Sequence, residues 1–459
     1  MASFYVENFG CRATQADGAA VERQFRERGL VRADRVSEAE VVVLNTCTVT
    51  TSADRDARAA IRRVHRENPG CQIVVTGCYA QRAPEEIAAL PGVSRVVGNS
   101  HKHRLAEIAL QRSDSGPANR NPAAFVPLGS LLLSPRPATD DQRPIFVSDI
   151  FAHTELLAAP VFDAANERTR PNLKVQDGCD NRCSFCIIPS VRGQSRSLQL
   201  PRILDEINTL VAAGYREVVI SGINLGRWGR DLAAEPLSFE HLIRAILDFT
   251  SLEKLRISSV EPMDWSDDFI RLMAESTRIA KHAHVPMQSG SDRILRIMHR
   301  KYRPWHYRQK IEKIRSAMPT AAIGADVMVG FPGESDADFE ETRRMVEGLP
   351  FTYLHVFTYS PRPETPAAAM RNQVPSSVAR GRNKALRDLA AEKKLAFMKS
   401  FVGKTVEAIT LNVFDGIHTE CLTDNYLPLC MRGRHEANRW IQGLVEDVQS
   451  GTLIARESI

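Results

Sequence analysis

Short apolar runs alternate with amphipathic, charged stretches along most of the chain. In the first 105 residues FYVEN, VVVLNTC, QIVVTGC and SRVVGN read as strands. Between them DGAAVERQFRERG, closed by Gly29, then Ser52 to Asn68, stopped by Pro69-Gly70, and Pro84 to Leu90 read as helices. Strands alternating with helices predict a parallel sheet. The alternation resumes over about 169–395 with LKVQDG, EVVISG, KLRISSVE, AHVPMQ, IGADVMVG and YLHVFTYS as strands. RILDEINTLVAAG, FEHLIRAILDF, DFIRLMAES, HYRQKIEKIRSAM and DFEETRRMVEGL are the helices between them. Six repeats suit an open, partial (β/α)6 barrel, whose functional rim lies at the carboxyl ends of the strands. Residues 106–168 break the rhythm with Pro117, Pro122, Pro127, Pro135, Pro137 and Pro144, and read as a linker. Within that stretch the apolar patch Phe146 to Phe162 is expected to pack along the next domain. Residues 400–459 lose the helical period, and short strands broken by Gly and Asn-Tyr turns predict a small β-barrel. The fold class is therefore α/β: an open parallel sheet domain over 1–105, a linker over 106–168, a barrel over 169–399 and a β domain over 400–459.

At 459 residues the chain is too long for one ordinary core. A hydrophobic content of 43% and a charged content of 25% fit a soluble globular protein. No apolar run is long enough to span a bilayer, and MASFYVENFG lacks the basic and apolar regions of a secretory signal. A cytoplasmic location is expected. Nine cysteines then point to reduced thiols and metal ligation over disulfides. The net charge of +5 permits an RNA partner without demanding one. Its distribution is more informative. Residues 292–315 hold nine Lys/Arg against two acids and residues 368–399 eight against two, whereas 400–459 hold five against eight. The two basic stretches are the first places to look for phosphate contacts, with a solvated helix face as the alternative.

The densest chemistry lies in KVQDGCDNRCSFCIIPSVRGQSR, residues 174–196, which places Cys179, Cys183 and Cys186 in a C-x3-C-x2-C spacing between Gly178 and Gly193. Structural zinc usually closes with four ligands, and an iron–sulfur cube normally takes four thiolates. Three thiolates on a cube leave one iron open to a further ligand. A zinc knuckle, or three unrelated buried cysteines, is the alternative. In the first domain Cys11, Cys47 and Cys78 each fall at the carboxyl end of a successive strand, the edge at which open α/β sheets bind ligands. They are read as ligands of a second cube, against the usual fate of a buried core cysteine. Cys71, in the turn before its strand, stands apart, and Cys421 and Cys430 are expected in the core of the β domain.

The C-x3-C-x2-C spacing resembles that of radical S-adenosylmethionine (SAM) enzymes. With the three dispersed cysteines before it and a small β domain after it, the whole chain resembles the methylthiotransferase family. NTCTVT, TGCYAQ, SSVEP, PMQSGSD and GADVMVGFPGE look like family motifs, while CSFCIIPSVRGQSRS and HVFTYSPRPETPAA are most similar to its MtaB-type tRNA branch. The resemblance implies two [4Fe-4S] clusters, on Cys179, Cys183 and Cys186 and on Cys11, Cys47 and Cys78. It implies a TRAM-like C-terminal domain, and SAM as cofactor with Phe185 near its adenine. Gly222, Glu261, Gln288 and Asp326, at predicted strand ends, are carried over as SAM or substrate contacts, with a strand-end cap as the plainer role. The implied reaction adds a methylthio group to C2 of N6-threonylcarbamoyladenosine at position 37, in the tRNA anticodon loop. One SAM would methylate a held sulfur and a second, cleaved reductively, would activate C2. The implied partners are the tRNA and an electron donor such as a flavodoxin or ferredoxin; the sulfur donor stays open. Isopentenyladenosine 37 and a ribosomal protein aspartate are the alternative substrates within the family, and a noncatalytic iron–sulfur or zinc RNA-binding protein is the alternative outside it.

Overall fold

The computed structural model describes residues 2–111, 145–153, 156, 170–232 and 237–458. The prolines of the expected linker, and residues 154, 155 and 157–162 of the patch Phe146 to Phe162, lie outside those residues. The chain divides into two compact units. The first holds residues 1–9, 21–48 and 53–149, and the second residues 10–20, 49–52 and 150–459.

In the first unit six parallel strands lie in the order β2-β1-β3-β4-β5-β6. They are β1 (Ser3–Asn8), β2 (Val31–Arg32), β3 (Val41–Thr46), β4 (Gln72–Gly77), β5 (Val93–Val97) and β6 (Ile145–Phe146). The helices along this part of the chain are α1 (Arg12–Glu27), whose residues up to Ala20 fall in the second unit, α2 (Thr51–Glu67), whose first two residues do so too, α3 (Cys78–Arg82), α4 (Pro84–Ala88) and α5 (Leu105–Leu110). Every residue of β3 is buried, as expected of a parallel strand covered on both faces. Val42, Leu44, Ile73 and Val75 pack against Ile61 and Val64 of α2. Three expectations need correction. The first helix starts at Arg12, five residues before the stretch expected. The third expected strand, β4, ends at Gly77, so Cys78 opens α3. Helix α5 and strand β6 also continue the sheet domain into what was read as linker.

The second unit contains two sheets. One runs β10-β9-β7-β8 and the other β11-β12-β13. Their strands are β7 (Asn172–Asp177), β8 (Arg196–Ser197), β9 (Glu217–Gly222), β10 (Lys254–Ile257), β11 (His282–His284), β12 (Ala322–Val329) and β13 (Tyr353–Thr358). All pairings are parallel except that of β8 with β7. The helices are α6 (Ile188–Arg192), α7 (Leu200–Ala212), α8 (Phe239–Phe249), α9 (Asp267–Glu275), α10 (Asp292–Ile297), α11 (Pro304–Ala317), α12 (Asp336–Gly348) and α13 (Ser376–Lys399). Two expected strands are shorter than their apolar runs. After β10 the Ser258 N–H bonds Ile220 O at 3.1 Å and the Val260 N–H bonds His284 O at 3.1 Å, so the chain crosses from one sheet to the other. After β11, Pro286 has no N–H to donate and Gln288 takes φ +61°.

The strands divide largely by face. Leu173, Val175, Val218, Ile220, Leu255 and Ile257 pack into the helix layer, as do Ala283, Val285, Ile323, Ala325 and Val327. Strand alternation turns their neighbours to the other face. Most of those neighbours are polar, among them Lys174, Gln176, Arg256, His282, His284, Asp326 and His355, with Val219 and Met328 as apolar exceptions. An amphipathic helix covers one side, and a hydrophilic concave face remains for chemistry.

The remaining strands, β14 (Thr405–Phe414), β15 (His418–Thr423), β16 (Pro428–Arg432), β17 (Trp440–Gln449) and β18 (Thr452–Glu457), close into a barrel in the order β14-β15-β16-β18-β17. Its core includes Ala408, Cys421, Leu429, Val445 and Leu453. Cys430 is only half-buried, against expectation. Among the described residues no helix is long and apolar enough to cross a membrane.

Candidate active site at the barrel rim

The three-cysteine loop leaves β7 at its carboxyl end. Gly178 turns it with φ +71°, and the Cys179 N–H bonds Gly193 O at 3.1 Å. No side chain fits at Gly178, because a Cβ there would run into the Gln194 carbonyl oxygen. All three cysteines are free thiols, and N–H groups are turned toward their sulfurs. Asn224 Nδ2 lies 3.6 Å from Cys179 Sγ and Arg300 Nη1 lies 3.2 Å from Cys183 Sγ. The backbone N–H of Ile188 bonds Cys186. Burial pushes the Cys186 thiol up to about 12 despite that bond. A bare thiolate is therefore costly there, and a cationic partner would stabilise it.

The other expected contacts surround this loop. Phe185 meets Phe331 edge-on at 6.4 Å between ring centres. Gly222 ends β9 beside Gln176, where a Cβ would lie 2.9 Å from Gln176 Oε1. Glu261, four residues beyond β10, accepts from Arg300 Nη2. Burial pushes its carboxyl up and Arg300 pulls it only part of the way back. Gln288 follows β11, and its side-chain Oε1 is buried with no hydrogen-bond partner among the described residues. Asp326 corrects the expectation of a strand-end position: it lies inside β12, paired with His355 of β13. His284 Nε2 lies 3.1 Å from one of its oxygens and His355 Nδ1 3.3 Å from the other. Burial would raise this carboxyl, but the two histidine hydrogen bonds outweigh it and hold it well below the usual carboxylate range.

In the first unit Cys47 follows β3 directly and Cys78 follows β4, both buried, and Asn99 Nδ2 lies 3.6 Å from Cys78 Sγ. Cys11, grouped with the second unit, is exposed, and its Sγ lies 3.6 Å from Thr14 Oγ1. Cys71 stands apart, just before β4.

Family comparison places these features. Residues 3–98 match an uncharacterized protein family, UPF0004, and residues 173–346 match the radical SAM superfamily. The threonylcarbamoyladenosine tRNA methylthiotransferase MtaB of Bacillus subtilis is 35% identical over 95% of this chain and 92% of its own length. The chain belongs to the radical SAM methylthiotransferases of the MtaB type. It is an enzyme that transfers a sulfur-containing group to tRNA, with SAM and [4Fe-4S] as cofactors. A tRNA-2-methylthio-N(6)-dimethylallyladenosine synthase of Parafrankia is 36% identical over 89% of this chain and 77% of its own length. Among solved structures, the radical SAM methyltransferase TsrM of Kitasatospora setae, with cobalamin and a [4Fe-4S] cluster bound, superposes with a TM-score of 0.55. It is 15% identical, over 80% of this chain and 74% of that one, and the likeness shows the shared fold.

The loop's donor set fits such a cluster. Three thiolates on one zinc would lie roughly 3.8 Å apart, the edge of a tetrahedron with ~2.3 Å bonds. Among the described residues no cysteine trio holds its sulfurs within 4.8 Å of one another; His284, Asp326 and His355 are the group whose ligand atoms do. The three sulfurs are thus not gathered as a preformed single-zinc site. Sequence reading missed Asn224, Arg300, His284 and His355. Asn224 stands two residues after Gly222, and Arg300 is one of nine basic residues in its stretch, so neither carries a local signal. The two histidines occupy alternate positions in short strands, HAH and YLH, and that alternation could have placed them on the polar face.

Proposed function

We propose that this chain converts N6-threonylcarbamoyladenosine 37 of tRNA to its 2-methylthio derivative, using two [4Fe-4S] clusters. Cys179, Cys183 and Cys186 would hold the cluster that binds SAM, and Cys11, Cys47 and Cys78 the auxiliary one. The observation that carries the reading is the three-thiol loop at the carboxyl rim, with an N–H donor on each sulfur. For the substrate, the MtaB relative is matched over 92% of its length and the dimethylallyladenosine relative over 77%.

A reduced cluster with SAM supplies a radical able to attack a C–H bond that no acid or base can open. The chain's own residues then have distinct tasks. Arg300 donates to Cys183 and holds Glu261, coupling the cysteine loop to the rim after β10. Gln288 presents an unpaired buried oxygen that a ligand N–H or hydroxyl would satisfy. Phe185, packed beside Phe331, offers an apolar surface for an adenine. Gly222 leaves room at the end of β9, and Asp326 faces the concave side as an anion held between two histidines.

Much of the basic stretch 292–315 is committed internally. Arg293 pairs with Asp338, Arg296 with Asp292 at 2.8 Å and Lys313 with Asp267 at 2.8 Å, while Arg315 donates to the Pro319 carbonyl at 2.6 Å. Helix α13 instead presents Arg387 and Lys394 to a groove of about 470 Å³ alongside Tyr353 and Tyr426. The groove supports RNA contact by the stretch 368–399, with cations for phosphate and aromatic faces for unstacked bases. The electron donor would be a flavodoxin- or ferredoxin-type protein.

The test is anaerobic incubation of reconstituted protein with SAM, a reductant, inorganic sulfide as sulfur source and an anticodon stem-loop carrying N6-threonylcarbamoyladenosine, followed by mass spectrometry of the nucleosides. The expected product has one methylthio group in place of one hydrogen, and none forms with Cys183→Ala. Release of 5′-deoxyadenosine with no RNA product would defeat the substrate assignment.

A further inference from the structure

The polar face of the barrel contains a cavity of about 260 Å³. Its lining includes Arg12, Ser258, Ser259, Tyr353, His355 and Tyr426, with no aliphatic side chain among its lining residues. Binding pockets are ordinarily lined mostly by apolar groups, and drug-sized ones run to ~300–1,000 Å³. This one is smaller and every residue lining it carries a polar group, which suits it to a charged substituent and leaves it too small for a whole nucleotide.

The charges in it are unequally committed. The anion, Asp326, is occupied by His284 and His355. Of the nearby cations, Arg256 is bound to Glu217 at 2.6 Å, and Arg170 lies 3.8 Å from the same carboxylate. Arg12 makes no ion pair among the described residues; its Nη2 donates to the Tyr426 hydroxyl at 3.0 Å. The Ser258 and Ser259 hydroxyls make no side-chain hydrogen bond among the described residues, and His355 spends only Nδ1 on Asp326, leaving Nε2 over. A guanidinium without a carboxylate partner among the described residues, a second imidazole nitrogen and two hydroxyls thus line one small space. Position agrees with this. Asp326 lies three residues below the end of β12, on the order of 10 Å beneath the rim at ~3.3 Å per residue. That is the scale of a purine bearing a side group. Arg12 directly follows Cys11, a proposed auxiliary-cluster ligand.

We infer that this cavity is the specificity pocket for the N6 substituent, in which Arg12 receives the threonyl carboxylate while His355, Ser258 and Ser259 hydrogen-bond the hydroxyl and ureido groups. The inference rests on the substrate reading above. A dimethylallyl group has no atom to pair with this lining and would leave it desolvated. Sites built to hydrogen-bond a substrate group reject analogues that lack it far more strongly than apolar pockets reject an extra group. A divalent cation on His284, Asp326 and His355 is the other occupant the ligand geometry admits, and the unpaired Arg12 guanidinium in the same cavity opposes it.

The test measures RNA affinity by fluorescence anisotropy on the reconstituted enzyme, with three stem-loops. One carries threonylcarbamoyladenosine, one its carboxyl methyl ester and one dimethylallyladenosine. Wild type should bind the free acid roughly 10- to 100-fold more tightly than the ester, the loss expected for one charge-assisted hydrogen bond. Arg12→Ala should bring acid and ester together, and Arg12→Lys should restore part of the gap. Equal affinity of wild type for acid and ester, or an equal drop for both in Arg12→Ala, would overturn the pocket while leaving turnover of the acid intact. If wild type methylthiolates only the dimethylallyl RNA, the substrate reading fails, and the pocket assignment with it.

Discussion

Gly178 and Arg300 set limits on what the cysteine loop can tolerate. In Gly178→Ala the new methyl group would meet a backbone carbonyl, which cannot swing aside as a side chain can. The expected outcome is a folded protein that takes up one cluster fewer, read as iron and sulfide per chain. Arg300 reaches Cys183 Sγ with one arm and Glu261 with the other. Hydrogen bonds and positive charge near cluster sulfurs stabilise the reduced state. Arg300→Gln should therefore make the SAM-binding cluster harder to reduce, seen as a more negative midpoint in an EPR-monitored titration. Arg300→Lys keeps the charge without the two-armed reach and should fall between. An unshifted midpoint in Arg300→Gln would remove this role.

Among the elements, β7 does more than deliver the cysteine loop. Its Lys174 is fully buried against Asp17 of α1 and, at 2.8 Å, Asp177; Arg192 of α6 closes the set, 2.9 Å from each carboxylate. Burial works against the Lys174 charge, but Asp17 and Asp177 outweigh it and raise its pKa above the ordinary value. Lys174→Met would leave two buried carboxylates to one arginine and should cost roughly 3–5 kcal/mol. A raised lysine contributes stability that is complete below the unfolded value of ~10.4 and is lost as pH rises through the higher folded value. The gap in denaturation midpoint between wild type and Lys174→Met should thus be constant through neutral pH and shrink only in strong alkali.

This network also shows where sequence reading stops. The helices and strands were legible because each is amphipathic or uniformly apolar, and the cysteines because their spacing is local or repeats at strand ends. Asp17 and Lys174 are 157 positions apart in the chain, and Arg300 is 117 from Cys183. Pairs so separated leave no periodic trace. The same holds for the shortened strands β10 and β11: after β10 the hydrogen bonding crosses to the other sheet, and after β11 Pro286 and the positive φ of Gln288 interrupt the ladder.

At the level of the whole molecule, cluster content is the first quantity to measure. Wild-type protein should hold two cubes per chain after anaerobic reconstitution, and a Cys11/Cys47/Cys78→Ala triple variant one. One cube in both would remove the auxiliary cluster and leave a single-cluster enzyme. The closed C-terminal barrel carries more acids than bases, so raising the salt should weaken RNA binding mainly through the α13 groove, and Arg387→Ala with Lys394→Ala should flatten that salt dependence.

A barrel whose inner face bears lysine, arginine, histidine and carboxylate groups cannot stand dry. Polar groups there favour water when no substrate is present, so a polar substituent entering exchanges one set of hydrogen bonds for another. Heat capacity registers hydrocarbon burial. Seating the threonylcarbamoyl group should therefore appear in calorimetry as a favourable enthalpy that changes little between temperatures, and the affinity should fall steadily on warming.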